Sequence, residues 1–477
     1  ARAEYGWRDS LNLVGNVSGK AGPVSASVGG GYMRTDGISS FSEARGGTER
    51  DGYRNYGANA KFGIALSDAI SVDLRGWYVN GRTDEDGFPP PIFTFADNDQ
   101  FTRNRQLVGY AGLNAALFDG RFRNRVAFAY TDVRRRTFDP NATPVQRLDY
   151  RGRNERFEYQ GIVDISQGWQ ATMGAEHETQ RFAKTEAYDP AGHRGTANTT
   201  SAYAQLVATP LDGLTLTGGA RYDHHSDFGG HTSFGASAAW SPNAGTTIVR
   251  ASYGEGFKAP SLYQLASEYG NLGLKPETSQ GWDAGVTHKL LGGAIVASLT
   301  YFERRTGNLI DFAFCPGDPV CADGRFGYYK NVARTFAKGI EASMLLRPAP
   351  GLTVETNYSG MRSQDRSAGS ADFGKQLVRR PRHALSTAID YRWPFKLETG
   401  ATARLIGARR DVDFDAFPAQ DVKLPSYVVV DVRVRYPISE VLEVYGRIEN
   451  LFDERYETVL RYGTPGRAAY AGVRLRM

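Results

Sequence analysis

Carboxylates gather in two polar stretches near the start of the chain, among them Glu49 and Asp51 in the first, then Asp84, Glu85, Asp86, Asp97 and Asp99 in the second. Carboxylate oxygens are hard donors of the kind calcium takes, and acids from neighbouring loops could gather around one ion. The same acids could equally do no more than keep long loops hydrated. His224, His225 and His231 could ligate a metal, or sit as ordinary exposed loop histidines. Cys315 and Cys321 are the only cysteines and bound the turn-rich stretch Cys-Pro-Gly-Asp-Pro-Val-Cys. That stretch favours a disulfide in an oxidising compartment over a metal pair, since CxxC spacing and a second ligand pair are both missing. Arg134-Arg135-Arg136 and Arg379-Arg380-Pro381-Arg382 could attract an anion such as a ferric siderophore or a lipopolysaccharide phosphate, or simply line a rim or lumen. No Ser stands in a Gly-x-Ser-x-Gly turn and no carboxylate pair is singled out, so an enzyme is not expected.

What positions these residues is a sheet. The chain has 477 residues, 41% hydrophobic and 12% aromatic, a length that suggests several soluble domains unless one barrel absorbs it. No stretch approaches the roughly 20 apolar residues of a membrane-spanning helix. The richest run, residues 290–302, is broken by Gly292, Gly293 and Thr300. A mean hydropathy of −0.44 is compatible with transmembrane strands, in which only alternate residues need be apolar. Residues 23–33 alternate with the period of a strand, and the same texture returns at 71–79, 125–130, 201–209, 214–222, 232–240, 246–253, 294–302, 339–345 and 428–435. Tight turns such as Ser67-Asp68 and Pro210-Leu211-Asp212-Gly213 alternate with long polar connections such as 37–54 and 84–103. This pattern predicts an all-β, transmembrane, antiparallel up-and-down β-barrel of about 22 strands, with short periplasmic turns and long extracellular loops. In residues 467–477, Ala469, Ala471, Val473, Leu475 and Met477 share one face, while Arg474 and Arg476 share the other. The apolar face is expected to meet lipid, because an Arg there costs about 2 to 4 kcal/mol at mid-depth. The 55 glycines suit strands bent around a barrel wall, and 26 tyrosines with 25 phenylalanines suit aromatic girdles. A formal charge of +5 does not indicate nucleic acid, because basic residues are scattered among 52 acids.

Arg447-Ile448-Glu449-Asn450-Leu451-Phe452-Asp453-Glu454-Arg455-Tyr456, followed by Gly466-Arg467, resembles the C-terminal signature of TonB-dependent receptors. A second box, Ser252-Tyr253-Gly254-Glu255-Gly256-Phe257-Lys258-Ala259-Pro260-Ser261-Leu262 with Gly273-Leu274-Lys275-Pro276-Glu277-Thr278-Ser279, resembles the strand, loop and strand these receptors share. Within that family the chain is most similar to cobalamin transporters, through Arg75-Gly76-Trp77, Asn80 to Asp84, Tyr269-Gly270-Asn271, Leu309-Ile310-Asp311, Tyr329-Lys330-Asn331, Lys338 to Ala342 and Tyr456 to Val459.

The resemblance implies TonB-dependent import of a scarce nutrient across the Gram-negative outer membrane, with cobalamin or another corrinoid as cargo. A ferric-siderophore receptor is the alternative, and a passive porin the alternative of another class. It implies calcium held by Glu49, Asp51, Asp86 and Asp97 in the extracellular loops. Haem is not expected, since residues 261–275, where haem receptors carry an axial His, contain none. The TonB complex would act through an N-terminal plug of some 130 residues that this sequence does not include, the whole of 1–477 being barrel with its first strand cut short at Ala1. Other implied partners are outer-membrane lipid and lipopolysaccharide.

Overall fold

A segment whose side chains alternate between apolar and polar satisfies its backbone only by pairing on both sides, and closing the sheet on itself removes the edges. The computed structural model describes residues 1–477 except 90–92, 316–323, 326, 417 and 477, with Phe314 and Ala333 described in backbone only. Twenty-two strands form one antiparallel sheet, each bonded to the strands before and after it. The strand Arg2–Gly6 closes the ring, setting Arg2 opposite Val14 of Ser10–Ala21 on one side and opposite Arg474 of Ala468–Leu475 on the other. A separate hairpin, Arg409–Asp413 with Gln420–Leu424, stands outside this sheet.

Tight turns occupy one rim. There Gly22, Gly168, Gly213 and Gly351 take φ of +54° to +81°, which a side chain would strain. Residues 39–50, 85–100, 259–276, 366–382 and 450–467 make long connections at the other rim. The expected strict alternation of short and long connections is corrected in three places, the first being residues 7–9, a tight turn at the long-loop rim between Arg2–Gly6 and Ser10–Ala21. The strands Trp169–Glu186 and Asp189–Leu211 run far out and turn within residues 187–188, and the strands ending at His225 and starting at Gly229 turn within 226–228. Paired backbone needs no bilayer, so these hairpins continue as strand where the hydropathy alternation has stopped. The same physics makes observed strands longer than the alternating segments: 125–130 lies within Phe122–Phe138, and 339–345 within Gly327–Ala349.

The pleat sorts the faces. Along Phe122–Phe138 the even residues Phe122, Val126, Phe128 and Tyr130 face outward, while Arg123 and Arg125 face inward to pair with Asp164 and Glu158. Similar outward bands run from Val24 to Tyr32, Ile70 to Tyr78 and Trp169 to His177. Each approximates the 9 to 11 residues that a tilted strand needs to cross hydrocarbon. In the last strand Ala469, Ala471, Val473 and Leu475 are exposed outside, and Arg474 donates to Glu443 inside at 2.9 Å, as expected. Met477 lies outside the described residues. Further inward pairs, Arg221 with Glu176, Arg433 with Asp390 and Arg447 with Glu4, make the inner wall polar and self-neutralising.

Candidate functional site

The first candidate site lies where residues 39–50 meet residues 85–100. These stretches are neighbours because the strands Asp51–Ala65 and Ile70–Asp84 pair along their length. Glu49, Asp86 and Asp97 each bring a carboxylate oxygen within 4.8 Å of the other two. Asp51 opens its strand and is not a loop residue as expected from the sequence. Its charge still acts on Glu49 together with those of Asp86 and Asp97. Backbone amides hold the cluster: Ser40 donates to Asp51, Phe41 to Asp86 and Thr48 to Asp97, at 2.5, 2.5 and 2.7 Å. The buried Ser39 hydroxyl reaches both Asp86 and Asp97, at 3.3 and 3.2 Å. Among the described residues, no Lys, Arg or His forms an ion pair with any of the four acids. Partial burial, then the hydrogen bond and charge of Asp86, push the Glu49 carboxyl up to about 8.

The other acids of the two stretches are spent elsewhere, Glu43 on Arg8 at 3.0 Å. Asp84 accepts from Arg82 at 2.7 Å, Glu85 accepts from the Thr102 hydroxyl, and Asp99 accepts from Asn141 at 2.8 Å. The loop carrying Glu49 is tied to the last loop of the barrel. Arg45 pairs with Glu457 at 2.6 Å, the Ser42 amide donates to the Arg461 carbonyl, and Phe95 packs between Phe41 and Tyr462. That last loop is organised by Asn450, whose Nδ2 donates to the carbonyls of Glu454 and Pro465 and whose Oδ1 accepts from the Glu454 amide.

A second site fills part of the long-loop mouth. Residues 259–276 carry the helix Leu262–Ala266, opened by a capping box in which Ser261 and Gln264 bond each other's amides. The helix sits against the inward faces of the neighbouring wall, leaving Gly195 no room for a Cβ beyond van der Waals contact with Leu262 and Ala266. Tyr263 lies 5.8 Å from Phe182, 6.0 Å from Tyr329 and 6.1 Å from Tyr150, and Phe312 meets both Tyr329 and Tyr269. Lys184, 2% exposed, anchors the loop through an ion pair with Glu268. Burial and the nearby Tyr150 raise the Tyr263 phenol well above its ordinary value. None of these residues was a sequence candidate. The Ser-Leu-Tyr-Gln capping signature at 261–264 was the available signal.

The remaining candidates separate. His224 and His225 alternate on the strand Leu214–His225, so their rings face opposite sides; His225 packs on Phe228, and His231 stacks on Phe257. They form no metal-sized group among the described residues. The pleat divides Arg134-Arg135-Arg136: the outer two face away from the lumen with Asp132 and Asp149, and Arg135 faces inward toward Glu85. Arg379 pairs with the fully buried Asp411 at 2.9 Å. Of the expected disulfide pair, Cys321 lies outside the described residues.

Residues 32–451 match a protein-family model described as TonB dependent receptor-like, beta-barrel. Among solved structures, a mutant of the ferric enterobactin receptor PfeA from Pseudomonas aeruginosa gives a TM-score of 0.83 at 18% identity, covering 99% of this chain and 79% of that one. The siderophore receptor PirA from Acinetobacter baumannii gives 0.81 at 16% identity, with 99% and 80% covered. Pyoverdine-bound FpvA from P. aeruginosa gives 0.77 at 16%, with 99% and 71% covered. At such identities the likeness is one of fold.

Proposed function

We propose a function from one premise: this chain belongs to the TonB-dependent receptor β-barrel family, and its wall stands in the outer membrane of a Gram-negative cell. That family is one of transport receptors. The chain forms the wall of an energy-coupled importer, and its cargo is a ferric siderophore. One observation carries siderophore over corrinoid: the three structural neighbours named above are siderophore receptors. The corrinoid expected from local sequence likeness gives way to what had been its alternative. The aromatic shelf of Tyr150, Phe182, Tyr263 and Tyr329 inside the mouth supports this reading, since such rings offer flat contact area at small entropic cost. The polar inner wall is where a plug domain of the whole receptor would pack, and TonB would act through that domain.

The acidic cluster fits a hard divalent cation such as calcium. Its donors are all carboxylate oxygens, and no cationic side chain among the described residues neutralises them. Glu49, Asp51, Asp86 and Asp97 would hold the ion, whose charge would let the two loops stay closed. The loops bring the acids together through backbone amides, and through the last loop they fix one side of the mouth.

The test is growth of a receptor-deletion strain carrying the full reading frame. Rescue on an iron-limited medium by one of a panel of ferric catecholate, hydroxamate or pyoverdine siderophores, lost when tonB is also deleted, is the expected result. Rescue only of corrinoid-dependent growth would reinstate the corrinoid reading.

A further inference from the structure

Two neighbouring hairpins part early in the wall. The strand Gly229–Trp240 pairs with Thr247–Lys258 over six residues only, from Trp240 opposite Val249 to Gly235 opposite Gly254. Beyond that point each strand stays paired on its other side, as far as Gly229 opposite His225 and Lys258 opposite Glu277. Two strand edges therefore face each other with no ladder between them. The Phe234 amide points into this seam and donates to the Glu255 carboxylate at 3.1 Å. Backbone groups two residues apart point the same way, so Thr232 and Gly230 also present theirs to the seam, and Glu255 and Phe257 do so from the opposite edge. Side chains bridge part of the gap. The His231 ring stacks on Phe257 with centroids 4.5 Å apart, and the Tyr253 hydroxyl donates to Glu255 at 2.7 Å.

From the seam a recess of about 600 Å³ runs across the outer face. Glu255 stands two residues beyond the outward Tyr253, and its row continues through Gln280, Arg305 and Phe336 on successive strands. His231 bounds the recess on the first strand, and Arg334 and Arg366 bound it on the far side. Arg305 pairs with Glu303 at 3.0 Å. Arg366 donates to the side-chain oxygen of Gln364 at 2.9 Å, and neither it nor Arg334 has a carboxylate partner among the described residues. The Glu255 carboxylate in the lining is already engaged by an amide and a phenol. The recess is therefore positive at the end away from the seam.

We propose that the seam and its recess dock an extended, acidic polypeptide segment of a partner protein outside the cell. An open strand edge is satisfied in register by another backbone, which neither a lipid nor a small ion supplies. The segment pairs at one end with the edge at Gly230 and Thr232, and its acidic stretch crosses the outer face toward Arg366. There a guanidinium fork meets a carboxylate with two parallel hydrogen bonds. Phe336 between the arginines offers contact to an apolar side chain. The recess crosses from the strand of His231 to the strand that ends at Asp365, five spacings that make about 24 Å, the reach of roughly seven extended residues. The inference stands apart from the identity of the cargo.

The test uses the full receptor purified in detergent, with fluorescence anisotropy of a labelled ten-residue peptide of alternating Glu and Thr. Saturable binding is expected, weakened at least about tenfold by the paired change Arg334→Gln, Arg366→Gln. The same peptide N-methylated at alternate residues keeps every charge and loses the amides of one edge, and its binding is expected to be weaker by at least about tenfold. Replacing each Glu of the peptide by Lys is expected to abolish binding. Arg135→Gln, facing the lumen, is expected to leave binding unchanged. Heat-modifiable gel mobility reports that each variant is a closed barrel, and the peptide arms stand even if the paired variant does not fold. Absence of saturable binding, equal binding of the N-methylated or the Lys peptide, or equal binding by the paired variant and wild type would each overturn the assignment. Capture of lipopolysaccharide through Arg334 and Arg366 without capture of the peptide would give the recess to lipid and overturn it too.

Discussion

The Glu49 amide donates to the Asp97 carboxylate at 3.4 Å, and the amide following Asp97 donates back to the Glu49 carboxylate at 3.1 Å. Two loops are thereby laced through the very acids whose charges repel. Calorimetry of the refolded barrel is expected to show saturable calcium binding, weakened more than about tenfold by Glu49→Gln, which removes one hard donor. Absence of saturable heat in the wild type would dispose of the site.

Calcium-free behaviour should depend on pH. A carboxyl whose value rises on folding favours the folded loops while it is protonated, and that advantage fades as pH climbs from the ordinary 4.5 through about 8. Protection factors of the amides in residues 39–50 and 93–100, with the intrinsic base-catalysed rate divided out, are therefore expected to fall from pH 6 to pH 9 in chelator. Calcium should suppress the fall, and Glu49→Gln should flatten it.

Asn450 holds φ at +47° while its side chain makes three hydrogen bonds that close the last loop. Asn450→Ala loses the bonds and pays the left-handed strain, for about 2 to 4 kcal/mol. Asn450→Gly loses the bonds alone and should cost less. Protease nicking within residues 450–467 reads the order of the three proteins.

Lys184 is enclosed, whereas Glu268 keeps about a quarter of its side chain exposed. Lys184→Met is expected to destabilise the 259–276 loop by about 2 to 3 kcal/mol, below the range for a fully enclosed pair. Exchange protection of the helix amides should fall, with the barrel strands unaffected. Loss of protection throughout the barrel would assign Lys184 a global role.

Val126 faces outward near the middle of its apolar band, and Arg125 beside it faces the lumen. Val126→Arg should lower stability in lipid vesicles by about 2 to 4 kcal/mol. Urea denaturation measures it. A cost near zero would mean that this flank does not meet hydrocarbon.

Local regularities carried the fold into view. The odd and even residues of 467–477 already separated lipid from lumen, whereas the helix start carried by Ser261 and Gln264 lay unread within a segment that reads as strand, loop and strand. The acidic site was half visible. Nothing in spacing distinguishes Asp86 and Asp97, which converge on Glu49, from Asp84 and Asp99, which turn to Arg82 and Asn141, because the choice is made by contact between separate loops. Lys184 and Glu268 meet across 84 positions and left no local mark. Arg134-Arg135-Arg136 read as one patch until the strand assigned its members to opposite sides.

That assignment limits how such a wall can change. One residue inserted within a strand would carry every side chain beyond it through the sheet, delivering Arg135 to the lipid side and Arg134 to the lumen. Two inserted residues would lengthen the strand and keep each face its own. Among relatives, strand lengths should therefore differ by even steps, while loops such as 366–382 are free to vary by any number.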